Sequence, residues 1–164
     1  MRQFELLPFK PFEFQGHLGN RRVVSFGFRY DYGGQRLRPA ASMPAFLEPL
    51  KQIAASFSGQ AADSFVHALV TEYAPGAGIG WHRDKPMFRN VVALSFLSPC
   101  RLRFRRRHGD RWTREASAVA PRSAYRLSGD ARGVWEHSIP PMESLRYSVT
   151  FRDLEPGWAG PVPE

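Results

Sequence analysis

Cysteine is all but missing from this chain: Cys100 is the only one among 164 residues. No intrachain disulfide can form, and nothing points to an oxidising compartment. Lysine is scarce as well, with Lys10, Lys51 and Lys85 set against 20 arginines, and the formal charge is +8. No stretch approaches the roughly 18 apolar residues that a membrane-spanning helix needs, so no membrane partner is expected. The first residues, Met1-Arg2-Gln3-Phe4-Glu5, lack the apolar run of a secretory signal, and a cytoplasmic, monomeric protein is the expectation. Repeats, low-complexity tracts and linkers are also lacking, so residues 1–164 read as one domain.

What is present is a globular composition. Hydrophobic residues make up 43% of the chain and include 13 phenylalanines, enough to bury a core and too many for a disordered segment. Glycine and proline number 14 each and are spread throughout, the punctuation of many short strands and turns. One helix is predicted, with Ser42 as its cap, Pro44 in its first turn, and Phe46, Leu47, Leu50, Ile53, Ala54 and Phe57 as an apolar stripe. Pro49 falls inside that stretch and argues against a straight helix there. From residue 65 the pattern turns to strands: 65–73, 91–97, 101–105, 112–119, 123–127, 134–139 and 145–151, with a hairpin turn at His108-Gly109-Asp110-Arg111. A helix followed by this many strands predicts a mainly β fold with a supporting helix, a sandwich or jelly roll.

The basic charge attracts polyanions, and the planar fork of arginine can bind two phosphate oxygens at once. A solvated basic surface is the alternative, and charge alone does not choose between them.

Chemistry gathers in two places. Trp81-His82-Arg83-Asp84 sets an imidazole and a carboxylate two positions apart, and residues i and i+2 of a strand share a face. His137, in the strand-like Val134-Trp135-Glu136-His137-Ser138-Ile139, offers a second imidazole. Two histidines and a carboxylate are the facial triad of non-haem iron oxygenases, which leaves coordination positions open. A turn at Arg83-Asp84 with a hydrogen-bonded His137 is the plain alternative. The second place is Arg146-Tyr147-Ser148-Val149-Thr150-Phe151-Arg152. Alternation puts Arg146, Ser148, Thr150 and Arg152 on one face and Tyr147, Val149 and Phe151 on a core face. If that face is buried the arginines need anionic partners, and a dicarboxylic acid such as 2-oxoglutarate would supply them; a solvent-exposed sheet face is the plain alternative.

Together these residues resemble the AlkB-like dioxygenase family. Thr71-Glu72-Tyr73 followed by the glycine-containing loop Ala74-Pro75-Gly76-Ala77-Gly78-Ile79-Gly80 precedes the His82-Arg83-Asp84 motif, and His137 with Arg146 and Arg152 follows in family order. Ser95-Phe96-Leu97-Ser98 and His137-Ser138-Ile139-Pro140-Pro141 are similar to the strand after the first ligands and to the second-ligand loop. The resemblance runs from about Arg21 to Arg152. It implies a double-stranded β-helix core over about 65–153 and a nucleotide-recognition lid over about 15–40. It further implies iron(II) held by His82, Asp84 and His137, with 2-oxoglutarate and oxygen as cosubstrates. Tyr73 and Arg146 would take the distal carboxylate, and Arg152 would sit at the metal-side end beside Asp84. Thr71 and Ser148 stand where asparagine is usual in the family, and both keep a hydroxyl for hydrogen bonding.

The reaction implied is oxidative N-demethylation of nucleic acid on a single strand or a flipped base. The segment Arg21-Arg22-Val23-Val24-Ser25-Phe26-Gly27-Phe28-Arg29-Tyr30 resembles the lid. Phe26, Phe28 and Tyr30 are candidates for base contacts, and Arg22 and Arg29, with Arg21 and Arg36, for phosphates. Two other readings stay open: a 2-oxoglutarate-dependent hydroxylase or demethylase of a protein or small molecule, and a non-catalytic basic nucleic-acid-binding module.

Overall fold

Strict alternation along the strands decides which side chains enter the core and which face the interior of a two-sheet sandwich. The computed structural model describes residues 1–14, 17–31 and 36–158. A short helix α1 (Arg2–Glu5) leads into strands β1 (Lys10–Phe14), β2 (His17–Phe26), β3 (Phe28–Asp31) and β4 (Arg36–Pro39). Helix α2 (Glu48–Ser58) follows, and then β5 (His67–Tyr73), β6 (Ile79–His82), β7 (Phe88–Phe96), β8 (Cys100–His108), β9 (Arg111–Val119) and β10 (Ser123–Leu127). Helix α3 (Asp130–Gly133), β11 (Glu136–Ile139) and β12 (Arg146–Leu154) complete the order. Six strands form one sheet in the order β1-β2-β5-β12-β7-β10, four form a second in the order β6-β11-β8-β9, and β3 and β4 pair alone. The two larger sheets make the jelly roll that the sequence predicts.

Several details depart from the sequence reading. Strands already begin at Lys10, well before residue 65. Ser42 does not cap the helix: a 3-10 turn, Ala45–Leu47, comes first, and α2 starts at Glu48. Pro49 therefore sits in the first helical positions, where its missing N–H would have had no partner in any case. Ile53 and Phe57 are about half exposed, at 53% and 52%, while Leu47, Ala54 and Ala55 carry the buried face. The predicted strand 134–139 is shortened to Glu136–Ile139 because α3 occupies the residues just before it.

Two cores result. Phe4, Leu47, Ala54, Val70, Val149 and Phe151 lie between the helices and the outer face of the six-stranded sheet. Tyr73, Val91, Leu102, Leu127, Ile139 and Met142 lie between the two sheets. Gly27, at φ +77, lets the chain turn from β2 into β3. An added Cβ there would meet the Val66 carbonyl oxygen at 2.1 Å, so only glycine fits this pivot.

Asp153 ties the end of β12 to its surroundings. Its buried carboxylate accepts from Asn90 N at 2.6 Å, Asn90 Nδ2 at 2.7 Å, Arg89 Nη2 at 3.0 Å and Gln60 Nε2 at 3.1 Å. Replacing Asp153 with alanine strands several donors at once, and we expect a loss of about 2–4 kcal/mol in urea unfolding. A variant as stable as the wild type would show that water satisfies these donors.

Candidate active site

Register brings the first two site residues together. His82 ends β6 and stands directly opposite His137 on β11, so both imidazoles share the inner face, with ring centroids 4.2 Å apart. The ladder is irregular just beyond this pair, between His137 and Ile139, and such irregularities re-aim side chains near sites. Gly78 allows the close approach: a Cβ there would meet the Ile139 carbonyl oxygen at 2.7 Å. Asp84 arrives differently from the expectation. The strand ends at His82, so the i, i+2 rule does not place Asp84; the following loop turns it back. The ligand atoms of His82, Asp84 and His137 nevertheless lie within 4.8 Å of one another.

Protonation suits a metal. The Gly80 carbonyl, 2.9 Å from His82 Nδ1, can only accept, so Nδ1 carries the hydrogen and Nε2 keeps its lone pair. Burial lowers His82 below the usual imidazole range. Burial, then the neighbouring His82, depresses His137 to about 4. Burial alone would raise Asp84, yet the charges of Arg152, His137, His82 and Arg132 outweigh it and hold the carboxyl at about 2. At neutral pH the trio is therefore one carboxylate and two neutral imidazoles, the donor set that suits a divalent iron ion on one side and leaves its other positions open.

Two residues overlooked in the sequence, His67 and Arg132, support this trio. Arg152 Nη2 donates to Asp84 Oδ1 at 3.3 Å, while Nη1 lies 3.3 Å from His67 Nδ1. An arginine only donates, so His67 accepts and is neutral, and burial pushes its pKa well down. Arg132, on α3, donates to the Phe88 carbonyl at 2.7 Å and to the Lys85 carbonyl, clamping the loop that carries Asp84. Neither residue sits in a recognisable pattern; only their contacts reveal them.

Arg146 heads the second half of the site. Its side chain is fully buried, its Nε donates to Ser95 Oγ at 3.0 Å, and the Tyr73 ring centroid lies 5.1 Å from its Cζ. Nη1 and Nη2 are buried without a hydrogen-bond partner of good geometry. The phenol of Tyr125, another residue unmarked in the sequence, lies close enough to interact with this charge. A buried guanidinium with two free donors calls for a carboxylate, so the distal carboxylate of 2-oxoglutarate fits. Ser148 and Thr71 face each other across β12 and β5 on the same inner face, both 3% exposed.

The lid candidates separate. Arg22 pairs with Glu72 at 2.7 Å and shares the Glu72–Tyr147 face of the sheet, the side away from His82. Phe26 is 6% exposed in the helix-side core, so it supports the fold and does not reach a substrate. Arg21, one residue from Arg22, faces inward and lies near enough to His82 to depress its pKa. Phe28 packs on Met87 and Phe88, beside the Asp84 loop. Arg29 is exposed and directly opposite Arg38. The side chains of Tyr30 and Arg36 lie outside the described residues.

The fold and the donor set define a non-haem iron oxygenase. The model of the 2OG-Fe(II) oxygenase superfamily matches residues 2–152, and the chain belongs to that family. Membership implies iron(II), 2-oxoglutarate and oxygen as the reactants, and the donor set above fits the metal. The Alkylated DNA repair protein ALKBH8 homolog of Arabidopsis thaliana is 29% identical over 75% of this chain and 42% of its own length. An uncharacterised protein of Acanthamoeba polyphaga mimivirus is 32% identical over 52% of this chain and 47% of its own length. The chain thus spans less than half of each of these relatives. The structure of OsALKBH1 superposes with a TM-score of 0.62 at 14% identity, covering 88% of this chain and 83% of that one, which is a likeness of fold.

Three outcomes follow from this geometry. Arg132→Ala should weaken iron binding by about 10–100-fold by loosening the Asp84 loop, read by titration of the apoprotein; unchanged affinity would reduce the clamp to a fold contact. Arg146→Ala should raise the 2-oxoglutarate concentration needed for turnover by at least about ten-fold while sparing iron, and equal dependence would sink the assignment of the distal carboxylate. His67 has a folded pKa below its unfolded value, so the unfolded state binds its proton first as pH falls through about 6.5. Stability should then fall by up to about 1.4 kcal/mol per pH unit on its account. His67→Gln keeps an acceptor for Arg152 and should remove that share of the slope in unfolding measured from neutral pH downward.

Proposed function

We propose that this dioxygenase removes alkyl groups from the nitrogens of nucleic-acid bases, taking them from a single strand or a flipped nucleotide. The observation that carries the reading is the β3–β4 hairpin. It rests through Phe28 on Met87 and Phe88, beside the loop that holds Asp84, and it sets Arg29 directly opposite Arg38. Arg29 is exposed there, and its planar guanidinium can take a phosphate of a bound strand. The Arabidopsis relative is named an alkylated DNA repair protein, which supports the same reading.

When bound, iron(II) supplies the coupling of oxygen reduction to oxidation of 2-oxoglutarate, which leaves succinate and carbon dioxide. The protein's residues do the rest. His82, Asp84 and His137 hold the metal from one side, and Arg152 and Arg132 keep the Asp84 carboxylate and its loop in place. Arg146, against Tyr73 and Ser95, fixes the cosubstrate's far carboxylate, so its keto-acid end is directed into the site. The apolar wall of Val91, Leu102, Ile139 and Leu127 excludes water from the space between the sheets. One oxygen atom then enters succinate and the other a C–H bond of the N-methyl group. The resulting hemiaminal breaks its C–N bond, releasing formaldehyde and returning the proton to the base.

Single-stranded oligonucleotides carrying 1-methyladenine or 3-methylcytosine, incubated with protein, iron(II), 2-oxoglutarate and ascorbate, should lose the mass of one methylene, with no loss in His82→Ala. Succinate formed without any change in oligonucleotide mass would move the substrate to a protein or a small molecule.

A further inference from the structure

The four-stranded sheet has an outer face that the site does not use. His82, His137 and Phe104 point inward in one row of the ladder, so Trp81 and the odd-numbered residues of β8 point outward. On that face the Arg105 guanidinium lies 4.6 Å from the Trp81 ring centroid and 4.4 Å from that of Trp112. The result is a row of alternating indole and guanidinium planes. Glu136, at 2.6 Å from Arg105, is the carboxylate that holds this row in place.

Around it the charge is not balanced. The hairpin 100–119 carries seven arginines against Asp110 and Glu115. Among the described residues Arg101, Arg111 and Arg114 have no carboxylate partner, and Arg107 reaches Asp110 only at 3.8 Å. Arg105 stands directly opposite Arg114, and Glu136 balances only one of the two charges. Edge protection accounts for only part of it. Charged residues guard exposed sheet edges, and Arg111 and Arg114 lie on the edge strand β9, but Arg101, Arg105 and Arg107 lie on β8, an interior strand between β11 and β9. Trp112 keeps 39% of its surface exposed, more apolar area than protecting an edge needs.

We propose that this outer face is a second nucleic-acid-binding surface, which holds a single strand by stacking a base on Trp112 and pairing phosphates with Arg101, Arg107 and Arg114. The proposal rests on the reading of the substrate as nucleic acid. Alternating arginine and indole favours a polynucleotide over an acidic protein or an anionic membrane, because every base offers a π-face and every phosphate a charge at regular intervals. A single strand is required, since a paired base has no free face to stack. The surface lies on the opposite side of the sheet from His82, so it adds affinity for substrate strands without occupying the site.

The test uses the full chain and an unmodified, fluorescein-labelled single-stranded DNA of about 20 nucleotides, with anisotropy followed from about 50 to 200 mM salt. Arg101→Gln/Arg107→Gln/Arg114→Gln should lower the slope of log affinity against log salt by about 2 and weaken binding at least about ten-fold. The matching lysine substitutions should keep the slope. Trp112→Ala should weaken binding about ten-fold with little change of slope. Thermal unfolding should match the wild type in each variant, since the replaced side chains are exposed. Wild-type affinity and slope in the glutamine variant would overturn the proposal. So would wild-type binding to phosphatidylserine vesicles but not to the DNA. The probe carries no methyl group and needs no turnover, so its outcome is separate from that of the demethylation assay: lost demethylation with intact binding sinks the substrate reading alone.

Discussion

Everything in this molecule turns on two guanidinium groups placed on the inner face of β12. Arg146 is fully buried and Arg152 is 8% exposed, and a buried charge persists only where partners surround it. β12 lies between β5 and β7 in the middle of the larger sheet, so its inner face is shielded from water along its length. Arg152 meets that demand within the protein, through Asp84 and His67. Arg146 meets it only in part, through Ser95, and keeps two donors for a cosubstrate. One arginine therefore orders the candidate metal ligands and the other presents two buried nitrogens suited to a carboxylate.

Burial does double duty around the metal ligands. It drives the imidazoles to their neutral form and, acting alone, would also neutralise Asp84. The neighbouring positive charges reverse that effect for the carboxylate only. The chain thus separates the protonation states of groups within a few ångströms of each other by surrounding them differently. The supports come from distant parts of the sequence: Arg132 from α3, His67 from β5, Gly80 from the strand that bears His82. Such supports decide whether a ligand set is held in place or merely present.

The two sides of the smaller sheet have divided roles. Its inner face carries His82, His137 and apolar residues; its outer face carries tryptophans and arginines. The same alternation that fills the interior of a jelly roll displays charge on the exterior, so one sheet carries the candidate ligands on its inner side and a basic, indole-bearing surface on its outer side.

Alternation and motif order were enough to read from the sequence the mainly β jelly roll, the strands from residue 65 onward, the His82, Asp84 and His137 cluster and the shared face of Arg146 and Arg152. These depend on local periodicity and on residue types with narrow chemistry. The early strands, the start of α2 at Glu48, the exposure of Ile53 and Phe57 and the placing of Arg22 and Phe26 away from the site were not legible. Each depends on which face a neighbouring element covers, and a one-residue shift in register reverses it. The roles of Arg132, His67 and Tyr125 were equally hidden, because a lone arginine, histidine or tyrosine has no pattern of its own and takes its role from contacts made across the fold. The sequence by itself determined what chemistry the chain could carry; the tertiary structure decided which residues face one another, because pairing and burial join segments that local pattern leaves independent.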